Sequence, residues 1–159
     1  FHVNAYFQYD QDVMMVAPAT ASGPGVGGVY VGFSTRTIFL TGTSPEDMVE
    51  REIGLGVVEY ALAYCNGVPQ LGDNIPVWTS QDGIVAGSAS GVLQNLTRER
   101  VQFSPGSEGA SMFTMSRGYP QFLTNFRRGA PGGTSAGVGF GDSATCEVIR
   151  NGSVIKEVL

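Results

Sequence analysis

Hydrophobic and polar positions alternate with a period of two over much of this chain. From Val3 to Tyr9, Val3, Ala5, Phe7 and Tyr9 are set against Asn4, Tyr6 and Gln8, which predicts a strand. Asp10-Gln11-Asp12 reads as a turn, and Val13 to Ala17 is a short apolar run. Val29 to Phe33 and Thr37 to Leu40 are rich in β-branched and aromatic residues and predict two further strands. Beyond Pro69 the strand candidates are Ile75 to Trp78, Gly83 to Leu93, Arg98 to Phe103, Ser111 to Met115 and Gln121 to Phe126. Gln81-Asp82-Gly83 and Ser104-Pro105-Gly106 supply turns between them. The chain ends on a predicted hairpin, Cys146 to Arg150 and Ser153 to Val158 around Asn151-Gly152, a pair suited to a two-residue type I′ turn. That register sets Ile149 opposite Val154 and Glu147 opposite Lys156.

One segment breaks the pattern and predicts a helix over about 44–65. Ser44 is suited to an N-cap, Pro45 to the first helical position, and Glu46 and Asp47 to the positive end of the helix dipole. Asn66-Gly67 offers a left-handed stop and Pro69 blocks continuation. Val49, Ile53, Val57, Tyr60 and Tyr64 fall near one stripe, and Met48, Leu55, Val58, Leu62 and Cys65 on another. After Gly54 only Glu59 is charged, so the second half is expected to be buried on most sides. Gly54 and Gly56 each cost about 1 kcal/mol relative to Ala inside a helix. A close-packed backbone at that notch would offset the cost, and a kink is the alternative.

The expected fold class is therefore α+β: an antiparallel sheet packed around one long, largely buried helix, ending in a hairpin. No repeat or composition shift divides the chain, so 1–159 reads as a single domain with Gly/Pro-rich loops or arms at 18–28 and 129–141. A strand, a buried helix and then consecutive antiparallel strands, with Leu71-Gly72-Asp73 after the helix, resembles the hot-dog thioesterases and dehydratases. The resemblance implies a small-molecule enzyme or binder on that scaffold, although the acid or histidine expected near the helix start is not recognisable.

Composition shifts the emphasis from chemistry to association. Only 14% of residues are charged, against about 25% in soluble domains. The chain also holds 23 glycines. A subunit that hides its surface in neighbours fits both facts, so the leading expectation is a non-enzymatic structural subunit of a homo-oligomeric assembly, of virion, sheath or surface-layer type. The formal net charge is −5 and basic residues gather only at Arg98/Arg100 and Arg127-Arg128, so no nucleic-acid partner is expected. No apolar run is long enough for a membrane-spanning helix. A start at Phe1 suggests a processed or excerpted product. Cys65 and Cys146 could form a disulfide in a secreted binding module or remain two thiols. Asn95-Leu96-Thr97 and Asn151-Gly152-Ser153 are formal glycosylation triplets, the second also explained by its turn. The compartment stays open, with an extracellular or virion-associated one favoured.

Candidate chemistry is sparse. Glu59, a lone carboxylate in an apolar segment, is the candidate acid–base residue if burial raises its pKa; solvent contact or an arginine partner is the plainer reading. Arg127 and Arg128 could hold an anion beside the second Gly-rich stretch. Gly139-Phe140-Gly141-Asp142-Ser143 resembles the nucleophile motif of trypsin-like serine proteases. Ala144-Thr145 follow where that motif continues with glycine, and the only histidine is His2, so the base such a serine needs is not supplied. A Cys65 thiolate would be disfavoured at a helix C-terminus. Asp10 and Asp12 have calcium-loop spacing without the later Gly and Glu. Neither Gly-rich stretch carries the Lys-Ser/Thr of a phosphate loop. No cofactor and no metal site is expected.

Overall fold

A computed structural model describes residues 7–20, 27–44, 47–68, 70–97, 108–127, 145–150 and 153–158, with side chains through 124 except 116 and 119. The first sheet is formed by β1 (Met15–Thr20), β2 (Gly27–Gly32), β3 (Thr37–Thr41) and β4 (Val49–Ile53). The second is formed by β5 (Leu62–Cys65), β6 (Ile75–Ser80), β7 (Gly83–Gly87) and β8 (Leu93–Asn95). The third is formed by β9 (Glu108–Ser116), β10 (Tyr119–Arg127), β11 (Thr145–Arg150) and β12 (Ser153–Val158). Every pairing is antiparallel and every neighbour in a sheet is the next strand in sequence, so each sheet is a four-stranded meander.

The fold is all-β among the described residues, which overturns the α+β assignment and the helix at 44–65. The Ser44 signal serves a single turn instead. Its hydroxyl donates to the Asp47 carboxylate at 3.0 Å, and the Asp47 N–H donates to the Ser44 carbonyl at 3.1 Å. Val49 to Ile53 then pairs with β3, which sends Glu50 and Glu52 to one face and Arg51 and Ile53 to the other. Residues 54–61 cross over to the second sheet. Gly56 lies so close to the Ser34 carbonyl that a Cβ there would collide with it, whereas Gly54 faces open space. The close approach suspected at this notch is thus present at Gly56, on an extended crossover. Gly67 does adopt the left-handed conformation, at φ 69°, but it ends β5 rather than a helix. The hot-dog analogy loses its central element with the helix.

Other expectations met the structure unevenly. The terminal hairpin has the expected register, with Glu147 opposite Lys156 and Ile149 opposite Val154. The predicted strand from Gly83 to Leu93 is two strands, parted by a turn in which the Gly91 N–H donates to the Ser88 carbonyl. Within the stretch 18–28, Pro18 to Thr20 belong to β1, and Gly27 and Gly28 to β2. Of the strand predicted from Val3 to Tyr9, Phe7 to Tyr9 are not in a strand and 3–6 lie outside the described residues, as do the predicted strand at 98–103 and the stretch 129–141.

The sheets stack face to face, and the second is the centre of the stack. Both β6 and β7 are buried along their whole length. On the face toward the first sheet, Trp78, Val85, Leu62 and Leu93 pack with Met15, Ala17, Ala19, Tyr30, Phe39 and Val57. On the opposite face Cys65, Ile75, Val77, Ile84 and Ala86 pack with Phe113 and Phe122 of the third sheet. Burying each of the larger of these side chains contributes about 1.5–3 kcal/mol. Polar pins accompany the apolar contact. The Tyr64 hydroxyl donates to the Pro18 carbonyl at 2.9 Å, and the Tyr30 hydroxyl to the Ser88 carbonyl at 2.7 Å. Arg51 donates to the Gly91 carbonyl and lies over the Phe39 ring at 5.8 Å. A smaller cluster of Val31, Phe33, Ile38 and Leu40 lies on the first sheet's far face, capped by Tyr9 and Met48.

Candidate functional site

The crossover from β4 delivers the sequence-nominated carboxylate to the junction of the second and third sheets. Its backbone is tied down on the way: the Val57 N–H donates to the Phe33 carbonyl at 2.8 Å and the Val58 N–H to the Thr79 carbonyl at 2.9 Å. The Thr79 N–H then donates to the Ala61 carbonyl at 3.0 Å. Between these anchors the chain bulges, and Tyr60 takes a left-handed φ of 62°. Such a conformation strains a non-glycine residue. The bulge leaves the Tyr60 side chain 70% exposed beside a half-buried Glu59.

Glu59 forms an isolated parallel bridge with Glu108, and the Gly109 N–H donates to the Glu59 carbonyl at 2.8 Å. Glu108 is in turn the register partner of Arg127 across the β9–β10 pair. Backbone pairing therefore places Glu59, Glu108 and Arg127 in one row, so two residues nominated separately from the sequence meet at one corner. Arg128 lies outside the described residues. The Tyr60 phenol is held above its usual value, first by its hydrogen bond to Glu59, then by the Glu59 charge, with burial and the Glu108 charge adding to it. The corner is a rim of carboxylates around a phenol. It can accept hydrogen bonds from cationic or donor-rich groups, and among the described residues it contains no nucleophile with a base beside it.

The remaining candidates are dispersed. Cys65 faces the third sheet from β5, and burial pushes its thiol up to about 12, the reverse of what a nucleophile needs. Cys146 is on β11 in the third sheet, its side chain outside the described ones. Asp10 is engaged by Arg36, whose Nη2 donates to it at 2.6 Å while Nη1 reaches Glu52 at 3.5 Å. Asn95 of the first glycosylation triplet is used by the fold, its side-chain amide donating to the Asp82 carbonyl at 2.8 Å. His2, Ser143 and the glycines before Ser143 lie outside the described residues. Among the described residues no group of three or more His, Cys, Asp or Glu comes together that could hold a metal, and no helix is long and apolar enough to cross a membrane.

Sequence reasoning missed the two ends of the stack. On the first sheet's far face Val16 is 60% exposed, with Pro18 and Thr20 exposed beyond it along β1. On the third sheet's far face Met112 is 55% exposed, with Ala110 and Glu108 exposed along β9. The alternation of β1 could have shown the first of these, had Pro18 not been read as the start of a loop. Comparison of the chain with protein-family models and with curated proteins finds no match to either.

Proposed function

We propose that this chain is a non-enzymatic structural subunit that works by self-association. The observation that supports the reading is the unequal treatment of its three sheets. The central sheet is covered on both faces, whereas each outer sheet exposes apolar side chains on its first strand, Val16 and Pro18 on β1 and Ala110 and Met112 on β9. Exposed apolar surface of this kind marks contact sites. The low charged fraction points the same way, because obligate interfaces disfavour charge. Sedimentation velocity over a wide concentration range tests the reading. Association that strengthens with concentration supports it, and a compact monomer at the highest concentration overturns it.

A further inference from the structure

The loop between β5 and β6, residues 66–74, opens on an Asn-Gly pair. Asparagine is a thermolabile residue, most of all before glycine, where no Cβ shields the following nitrogen. The Gly67 nitrogen can attack the side-chain carbonyl carbon of Asn66 and expel ammonia, closing a cyclic imide. Water then reopens the ring at either carbonyl, to aspartate or to isoaspartate. Asparagine and water go in, and acid and ammonia come out, with no oxidant or cofactor required. Asn66 and Gly67 are both exposed, so water reaches the pair.

The fold occupies both reacting groups. The Gly67 N–H donates to Asp73 Oδ1 at 2.7 Å, and Asn66 Oδ1 accepts from the Asn74 N–H at 2.8 Å. The first bond matters more, because the attack needs the Gly67 nitrogen stripped of its proton. A carboxylate that accepts from this N–H holds the proton in place, and its charge opposes the negative charge that stripping creates. The second bond anchors the side-chain amide on the far limb of the loop. The loop is closed between them: the Val68 N–H donates to the Gly72 carbonyl and the Gly72 N–H to the Val68 carbonyl, each at 2.9 Å. Val68 itself is buried in the cluster of Cys65 and Ile75. We infer that Asn66 is a site of spontaneous deamidation that Asp73 and Asn74 hold shut, so that only chains whose β5–β6 loop has opened are converted. Loops open locally without global unfolding. The change is one-way: isoaspartate adds a methylene to the main chain between β5 and β6, and either product adds a carboxylate to the loop that already holds Asp73. The loop thus keeps a chemical record of its own opening.

The test incubates the full chain in warm, mildly alkaline buffer with and without urea. Peptide mapping by mass spectrometry reads conversion at Asn66 separately from the second Asn-Gly pair at 151–152. The folded chain is expected to convert at least about tenfold more slowly than the unfolded one. Without urea, Asp73→Ala is expected to convert several-fold faster than the unaltered chain. Asp73→Asn, which keeps an acceptor but no charge, is expected to fall between them. Amide hydrogen exchange gives an independent reading, since the Gly67 N–H is expected to exchange slowly despite its exposure. Equal conversion with and without urea overturns the inference, as does exchange of the Gly67 N–H at the rate of an open chain. A folded Asp73→Ala no faster than the unaltered chain overturns it too, and a slower one makes Asp73 the base for the attack rather than its guard. If a variant does not fold, the urea comparison and the Gly67 exchange decide the matter on the unaltered chain.

Discussion

Thr79 and Thr124 meet hydroxyl to hydroxyl at 2.9 Å between the second and third sheets, both buried. Thr124 is also reached by the Ser111 hydroxyl at 2.9 Å, so it is the hub of a three-hydroxyl chain inside an apolar junction. Losing one partner leaves a buried polar group unsatisfied, at about 1–3 kcal/mol. Thr124→Val is therefore expected to lower stability more than Thr79→Val, which leaves the Ser111 bond in place. The T79V/T124V pair should cost less than the sum of the single changes. Urea unfolding of the three variants measures this, and additive losses would refute the coupling.

The crossover glycines separate by environment. A methyl group at Gly56 runs into the Ser34 carbonyl, while one at Gly54 meets nothing within 4 Å. Gly56→Ala is expected to destabilise by about 1–3 kcal/mol or more, the usual cost of overpacking. Gly54→Ala should stay within about 0.5 kcal/mol, as surface changes do. Thermal denaturation of both distinguishes them, and equal shifts in Tm would contradict the packing described.

Trp78 is the only tryptophan, and it is fully buried between the first two sheets with its ring 5.4 Å from that of Tyr30. Native emission is expected to be blue-shifted and to move to the red in one step on unfolding. Trp78→Ala should cost about 3–5 kcal/mol, in the range for deleting a buried indole. A solvent-like native spectrum would refute the burial.

Alkaline pH should weaken the fold. Burial raises the Cys65 thiol from 9.0 to about 12, and the Tyr30 phenol from 10.0 to about 12. In both groups the native state keeps a proton that the unfolded chain has already released. Their contribution is whole below the unfolded values and is lost as pH climbs through the folded ones. Urea midpoints are expected to fall between about pH 9 and about pH 12, and Cys65→Ala should flatten that slope. In a Cys146→Ser background the remaining thiol should resist an aromatic disulfide reagent until urea is added; rapid native labelling would contradict its burial.

The parts of the fold legible in the sequence were those whose signal is local. Asn151-Gly152 with flanking alternation gave the terminal register, because a two-residue turn leaves one pairing of Glu147 with Lys156. The same local grammar misled at 44–65. Ser44-Pro45 and Asn66-Gly67 are turn signals shared by helix ends and strand ends, and between them Val49, Ile53 and Val57 fit a helical stripe as well as a broken run of short strands. The two glycines were the contrary evidence, and Gly56 was needed for a crossover that no local pattern announces. Glu59 and Arg127 were both picked out, but their meeting depends on a bridge to Glu108 made by chain remote in sequence. The stacking order is a long-range property, and one sequence carries no pairing signal between Thr79 and Thr124.

Pro18 has a consequence beyond its own strand. It lies in β1, at the margin of the first sheet, where it brings no N–H, and its carbonyl is already occupied by the Tyr64 hydroxyl. An incoming strand would find a donor missing and an acceptor taken at the same residue, which is how natural sheets discourage fibril growth. β4, at the other margin, meets solvent with Glu50, Arg51 and Glu52. A protein this rich in strand and poor in charge is an obvious candidate for amyloid, and these margins steer it away from that fate.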